Sequence, residues 1–180
     1  FGLFIFLGIM GYMDVIKHLI KSTYHAGLIV VPIVMLGELF FGVYFNLSLW
    51  YKLIDKTYWG AYLSLMGLVI TLAINILFIP HFSYLACAWA SFFANLAMML
   101  VSYFLGQKYY PINYNLKTAG AFFALAMVLF GGITFSHMFV ENMWLRMLIN
   151  TLFIAVYLFV VIKKELPLQE IPVVGKYFRK

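Results

Sequence analysis

The side chains able to do chemistry in this sequence are few, and most stand inside oily runs. Glu38 lies near the middle of VMLGELFFGVYFNLSLW, with Gly42 one helical turn later and Asn46 one turn beyond that. Residues four apart fall on nearly the same face of a helix. A carboxylate in this setting has two readings. Either it faces a hydrated cavity and binds a cation, a proton or a sugar hydroxyl, or it is protonated and buried against a neighbouring helix. Ionisable groups inside apolar spans are costly and mark functional sites by default. Asn46 is a second candidate substrate-binding residue, able to hydrogen-bond sugar or to hold helices together.

Three other clusters contain polar groups. In MDVIKHLIK, Asp14 and Lys17 are three apart and Lys21 follows at four, so Asp14 and Lys17 can pair on one helical face. Lys17 is a candidate to attract an anionic substrate; the plainer reading is an interfacial ion pair with snorkelling lysines. Ser64, Thr71 and Asn75 share one face of a later helix. Asn75 is the fourth candidate substrate-binding residue, with interhelical hydrogen bonding as its plainer use. His137 and Glu141, four apart, lack the third protein ligand that a zinc site wants, so no metal is expected. No glycine-rich phosphate loop, thiol pair or nucleophile elbow occurs. No catalytic residue and no cofactor is expected, and the chain reads as something other than an enzyme.

The elements that carry these groups follow from composition. Of 180 residues, 66% are hydrophobic, 20% aromatic and 10% charged. Soluble domains carry about 25% charged residues. A chain this size cannot hide such an excess in one aqueous core, so its solvent is lipid over most of its length. The net charge of +6 comes from basic residues set between oily runs, which argues against nucleic acid as a partner and for a bilayer. Cys87 is the only cysteine, so no intrachain disulfide is possible, and it is expected to pack as a small hydrophobe. The sequence opens at Phe1 inside an apolar run, without the charged region of a signal peptide, and reads as a fragment.

A crossing helix needs ~20 mainly apolar residues. Six spans are expected, at about 1–16, 27–50, 59–79, 84–105, 119–139 and 143–162, followed by a cytoplasmic tail over 163–180. The expected fold is all-α, a polytopic transmembrane helical bundle. If the last span exits to the cytoplasm, nine of the twelve cations fall inside, and only Lys17, Lys21 and Arg146 fall outside, as the positive-inside bias requires. Trp50, Tyr51, Tyr58, Trp59, Tyr109, Tyr110 and Trp144 flank the spans and suit interfacial belts. Pro80 is expected to end the third span. The fourth span segregates by size, with Met98 the exception: Ala86, Cys87, Ala90, Ser91, Ala94, Asn95 and Ala97 on one side, Trp89, Phe92, Phe93, Leu96, Met99 and Leu100 on the other. The small side allows close approach of a partner helix, so the third and fourth spans read as a tight hairpin. Gly131–Gly132 reads as a packing or bending point.

Two segments, FNLSLWYKLIDKTYWGAYLS and INILFIPHFSYLACAWASFFANLAMMLVSYFLGQKYYPI, resemble the carboxy-terminal half of bacterial polysaccharide flippases of the Wzx type. These belong to the superfamily that also contains the MATE transporters and the lipid II flippase. Asn75, Ile76, Ile79 and Pro80 form the N-I-x-x-I-P signature. YLACAWAS matches a small-residue segment, with Tyr84 and Ala86 where glycines often stand and Ser91 for the usual Thr. The resemblance implies one lobe of a MATE-like two-lobe transporter in the bacterial cytoplasmic (inner) membrane. It also implies a lipid-linked oligosaccharide on undecaprenyl diphosphate as cargo, the missing amino-terminal helical lobe as partner, and a role in polysaccharide assembly such as O-antigen or lipopolysaccharide synthesis. The shared motifs are structural, so the four candidate residues rest on their chemistry. A MATE-type cation-coupled drug antiporter, an integral-membrane enzyme of glycan assembly built on His81, His137 and Glu141, and a structural membrane subunit are the alternatives.

Overall fold

A computed structural model of the chain describes residues 1–111, 115–139 and 142–165. Glu141, the His137 side chain and the tail from 166 onward lie outside the described residues, so the metal and enzyme readings of His137 and Glu141 and the tail's expected position do too. The described residues are all-α. The order is α1 Gly2–Gly11, α2 Met13–Leu19, a 3-10 segment Ser22–Val30, α3 Val31–Leu47, α4 Leu49–Leu53, α5 Tyr58–Phe82, α6 Tyr84–Tyr109, α7 Leu116–Phe139 and α8 Met143–Glu165.

Among the described residues, five stretches are long and apolar enough to cross a bilayer: Ser22–Leu53, Tyr58–Phe82, Tyr84–Tyr109, Leu116–Ser136 and Trp144–Lys164. The pair α1 and α2, bent by 67°, makes a sixth if it counts as one span. Ile76, Val128 and Leu148 are 72%, 72% and 69% exposed, so the helices turn large apolar side chains outward. Water would not tolerate apolar surface on this scale, and acyl chains match it. The chain is a polytopic helical membrane protein.

The contacts divide it into two compact units, Phe1–Lys21 with Asn115–Lys180, and Ser22–Tyr114. In the second unit α6 is central and packs against both α3 and α5. Its small side turns inward, with Ala86, Ala90, Ala94 and Asn95 buried, while Trp89, Phe93 and Leu100 face out. Cys87 departs from expectation: it is exposed, and Ala88 is buried instead. Helix α3 comes close to α6 at Gly37, where an added Cβ would stand 3.2 Å from the Cα of Phe92.

Two expectations are corrected in this unit. Pro80 does not end α5, which runs on to Phe82. The proline ring gives up the bond to the Ile76 carbonyl and crowds that oxygen, but its fixed φ fits a helix and only two residues follow before the chain turns. The chain reverses at Ser83, at φ 50°, whose N–H bonds the Ile79 carbonyl at 2.9 Å. Trp50 and Tyr51 are not belt residues either, being 2% and 7% exposed. Trp50 donates from Nε1 to Ser102 Oγ at 3.3 Å and stacks on Tyr109 at 5.8 Å and 7°. It lies against Gly106, where no side chain blocks the indole. Tyr58 and Trp144 are exposed, as a belt requires.

In the first unit α1, α7 and α8 pack on one another around Phe6, Leu7 and Ile133. Gly132 is a packing point, 3.3 Å from the Phe153 ring by its missing Cβ, whereas Gly131 faces open space. The break between α1 and α2 disturbs the ladder. The Val15 N–H, which an unbroken helix would offer to the Gly11 carbonyl, bonds the Tyr12 carbonyl at 3.0 Å. Asn150 Nδ2 of α8 donates to that Gly11 carbonyl at 2.9 Å, and Ser136 of α7 donates to Asn150 Oδ1 at 2.9 Å. Near the same end, Tyr12 and Thr151 share a hydrogen bond and Asp14 forms an ion pair with Arg146. The end of α1–α2 and the start of α8 therefore lie together, as expected of a first and a sixth crossing that run in opposite directions.

Candidate functional site

The polar groups of the second unit converge on an open groove of about 420 Å³ between α3, α5 and α6. Helix α3 supplies Glu38 and Tyr44, α5 supplies Ser64 and Thr71, and α6 supplies Ser91 and Asn95. The local sequence explains the convergence. Gly37 lets α3 rest on the α6 backbone. The next residue, Glu38, turns aside toward the groove. Ser64 and Thr71 are seven apart and Ser91 and Asn95 four apart, so each pair shares a helix face.

Within the groove, several polar atoms are already satisfied. Thr71 Oγ1 donates to the Gly67 carbonyl at 2.9 Å, and Asn95 Nδ2 donates to the Gly37 carbonyl at 3.2 Å. The Tyr44 hydroxyl is within hydrogen-bonding reach of Tyr51 and Ser64. Glu38 differs. It is exposed to the groove, and among the described residues its carboxylate has no hydrogen-bond or ion-pair partner. An ionisable group at this depth without a protein partner is one left for a ligand, water or an ion. The groove geometry fits the cavity reading of Glu38 better than burial against a neighbour.

The other three candidates stand elsewhere. Asn46 is exposed and folds back on its own helix, donating from Nδ2 to the Gly42 carbonyl at 3.0 Å. Eight residues at 100° each put it about 80° round from Glu38 on the side away from Phe41 and Tyr44, which takes it out of the groove lining. Asn75 is half-buried one turn past Thr71, about 6 Å further along the axis, and its Oδ1 is shut from solvent with no partner among the described residues. Lys17 is exposed on α2 and belongs to the first unit. Among the described residues no three of His, Cys, Asp and Glu gather.

Sequence reasoning misses Tyr44 and underuses Ser91 and Asn95. The two α6 residues are legible as the polar members of a small-residue side. Tyr44, six residues after Glu38, is not in phase with it and gives no signal. Comparison with protein-family models, with curated proteins and with solved structures gives no match for this chain.

Proposed function

We propose that the chain is a lobe of a flippase moving undecaprenyl-diphosphate-linked oligosaccharide across the bacterial inner membrane for polysaccharide synthesis. The resemblance of its third and fourth spans to Wzx-type proteins supplies the family. The observation that carries the reading is the groove: an unpartnered Glu38 amid hydroxyls and an amide, inside a helical unit whose outer faces are oily. A diphosphate and several sugars cannot cross hydrocarbon unaided, because burying unpaired polar groups is very costly. A polar cleft in contact with an amino-terminal lobe lets the glycan pass while the polyprenyl tail stays in lipid. Glu38 contacts sugar hydroxyls or couples an ion. Lys17 draws in the diphosphate, and Asn46 and Asn75 support the helices or the glycan.

Glu38→Gln in the full-length protein, in cells that depend on it for glycan export, is expected to cut export roughly tenfold, the equivalent of one lost charge-assisted contact of about 1.4 kcal/mol. Lys17→Gln is expected to weaken it less. Normal export by both variants at normal abundance removes both residues from the mechanism. The second reading is a cation-coupled antiporter of the MATE type, favoured by the oxygen-rich surroundings of Glu38, a donor set that suits hard cations. Sodium- or proton-dependent efflux of a cationic dye from vesicles, abolished by Glu38→Gln, supports that version instead.

A further inference from the structure

We infer that the end of the second unit where α4, α5 and α6 meet is a binding site for the phosphate of an anionic membrane lipid, held by Lys56 and Lys108, with Lys52 on the adjoining helix α4 as further positive charge. The inference does not rest on the flippase reading. Its basis is two ammonium groups on one ring: Lys56 Nζ stands 5.1 Å and Lys108 Nζ 6.0 Å from the centre of Tyr109. Lys52 Nζ stands 5.0 Å over Phe45.

The ring that seats the two lysines is itself fixed. Tyr109 stacks on buried Trp50 and lies 5.8 Å from Trp59. Lys56 is fixed by its backbone as well. The Lys56 N–H bonds the Tyr51 carbonyl at 2.9 Å and the Asp55 N–H points to the Lys52 carbonyl at 3.4 Å. With Asp55 at φ 55°, this is a Schellman closure of α4 with aspartate in the position usually held by glycine. The closed turn and the fixed ring restrict where the Lys56 ammonium can go before any ligand arrives, which lowers the entropy cost of binding.

The charge is also uncompensated. Among the described residues none of the three lysines has a carboxylate partner. The unit's only acidic residues are Glu38 in the groove and Asp55 on the turn, which is exposed and makes no ion pair among the described residues. Aromatic residues fix the depth. Tyr58, Tyr62 and Tyr110 are 51%, 60% and 43% exposed around the same end, the distribution found at the headgroup level of a bilayer. Ammonium groups at that level meet lipid phosphates first, and by parity this end is the cytoplasmic one, where anionic lipids attract basic residues.

The test uses the full chain in nanodiscs of phosphatidylcholine with a minority of phosphatidylglycerol, with retained lipids counted by native mass spectrometry. Lys56→Gln with Lys108→Gln is expected to weaken phosphatidylglycerol retention by roughly fivefold per lysine. The two Lys→Arg changes should retain it. Lys163→Gln with Lys164→Gln, an equal loss of charge in the other unit, should leave this retention unchanged. The site is overturned if the control pair loses as much as the test pair, if the test pair loses nothing, or if phosphatidylcholine is held as well as phosphatidylglycerol. Displacement of the retained lipid by inorganic phosphate at equal concentration overturns the lipid as ligand. All three positions are exposed or half-exposed, so the variants fold.

Discussion

Asn150→Leu is expected to destabilise the first unit by about 2 kcal/mol, more than removal of any other polar side chain described there. Asn150 is 0% exposed and bridges three helices. A hydrogen bond between membrane helices typically contributes ~0.6 kcal/mol, because the separated helices still satisfy their own backbone. The Gly11 carbonyl has no such fallback. The 67° bend takes its ladder partner away, so losing Asn150 leaves a buried acceptor unsatisfied, at a cost of about 1–3 kcal/mol. Asn95→Leu supplies the contrast. Asn95 donates to the carbonyl of Gly37, which lies inside the continuous helix α3 and keeps its ladder position. Its loss should cost less than half as much. Equilibrium unfolding in mixed detergent micelles measures both. Equal costs would show that the orphaned carbonyl is not what Asn150 serves.

Gly37→Leu is expected to force α3 and α6 apart. The first added carbon would sit 3.2 Å from the Phe92 Cα and 3.4 Å from its N, both backbone atoms that cannot swing aside. Overpacking of this kind costs about 1–3 kcal/mol, and here it also breaks the Asn95 bond to the Gly37 carbonyl. Gly42, five residues later on the same helix, is open: a Cβ added there would meet nothing within 4 Å. Gly42→Ala should be neutral or stabilising by up to about 1 kcal/mol, since alanine is the better helix former. Thermal unfolding in detergent separates the two. A Gly37→Leu protein that melts with the wild type would mean α3 and α6 are not in backbone contact.

The long spans are legible in the sequence because α5 to α8 are continuous apolar runs, and such runs in lipid have only one way to satisfy their backbone. The residues that break this rule are not. The bend at Tyr12 has no proline to announce it, and its partner Asn150 lies 139 positions away from Gly11 in sequence. Pro80 reads as a stop, yet α5 carries two residues beyond it before Ser83 turns the chain. Trp50 and Tyr51 resemble belt residues by position. Only the cleft opened by Gly106 takes the Trp50 indole inside. In the groove, Glu38, Ser64 and Thr71 are legible as polar groups at helical spacing. Asn46 and Asn75 join them by spacing alone, and small angular and axial offsets take both out of the lining.

These helices are expected to cross a bilayer with the Glu38 groove wet and the opposite faces in acyl chains. Labelling with a membrane-impermeant maleimide tests it in intact membranes, after Cys87→Ala removes the one native thiol. Ser64→Cys and Thr71→Cys line the groove, whereas Val69→Cys and Ile76→Cys, at positions 57% and 72% exposed on the same helix, face outward. Thiols react as thiolates, which form in water and not in hydrocarbon. The first pair is expected to label and the second to resist. Equal resistance at all four, or a chain that dissolves as a monomer in detergent-free buffer, would contradict it.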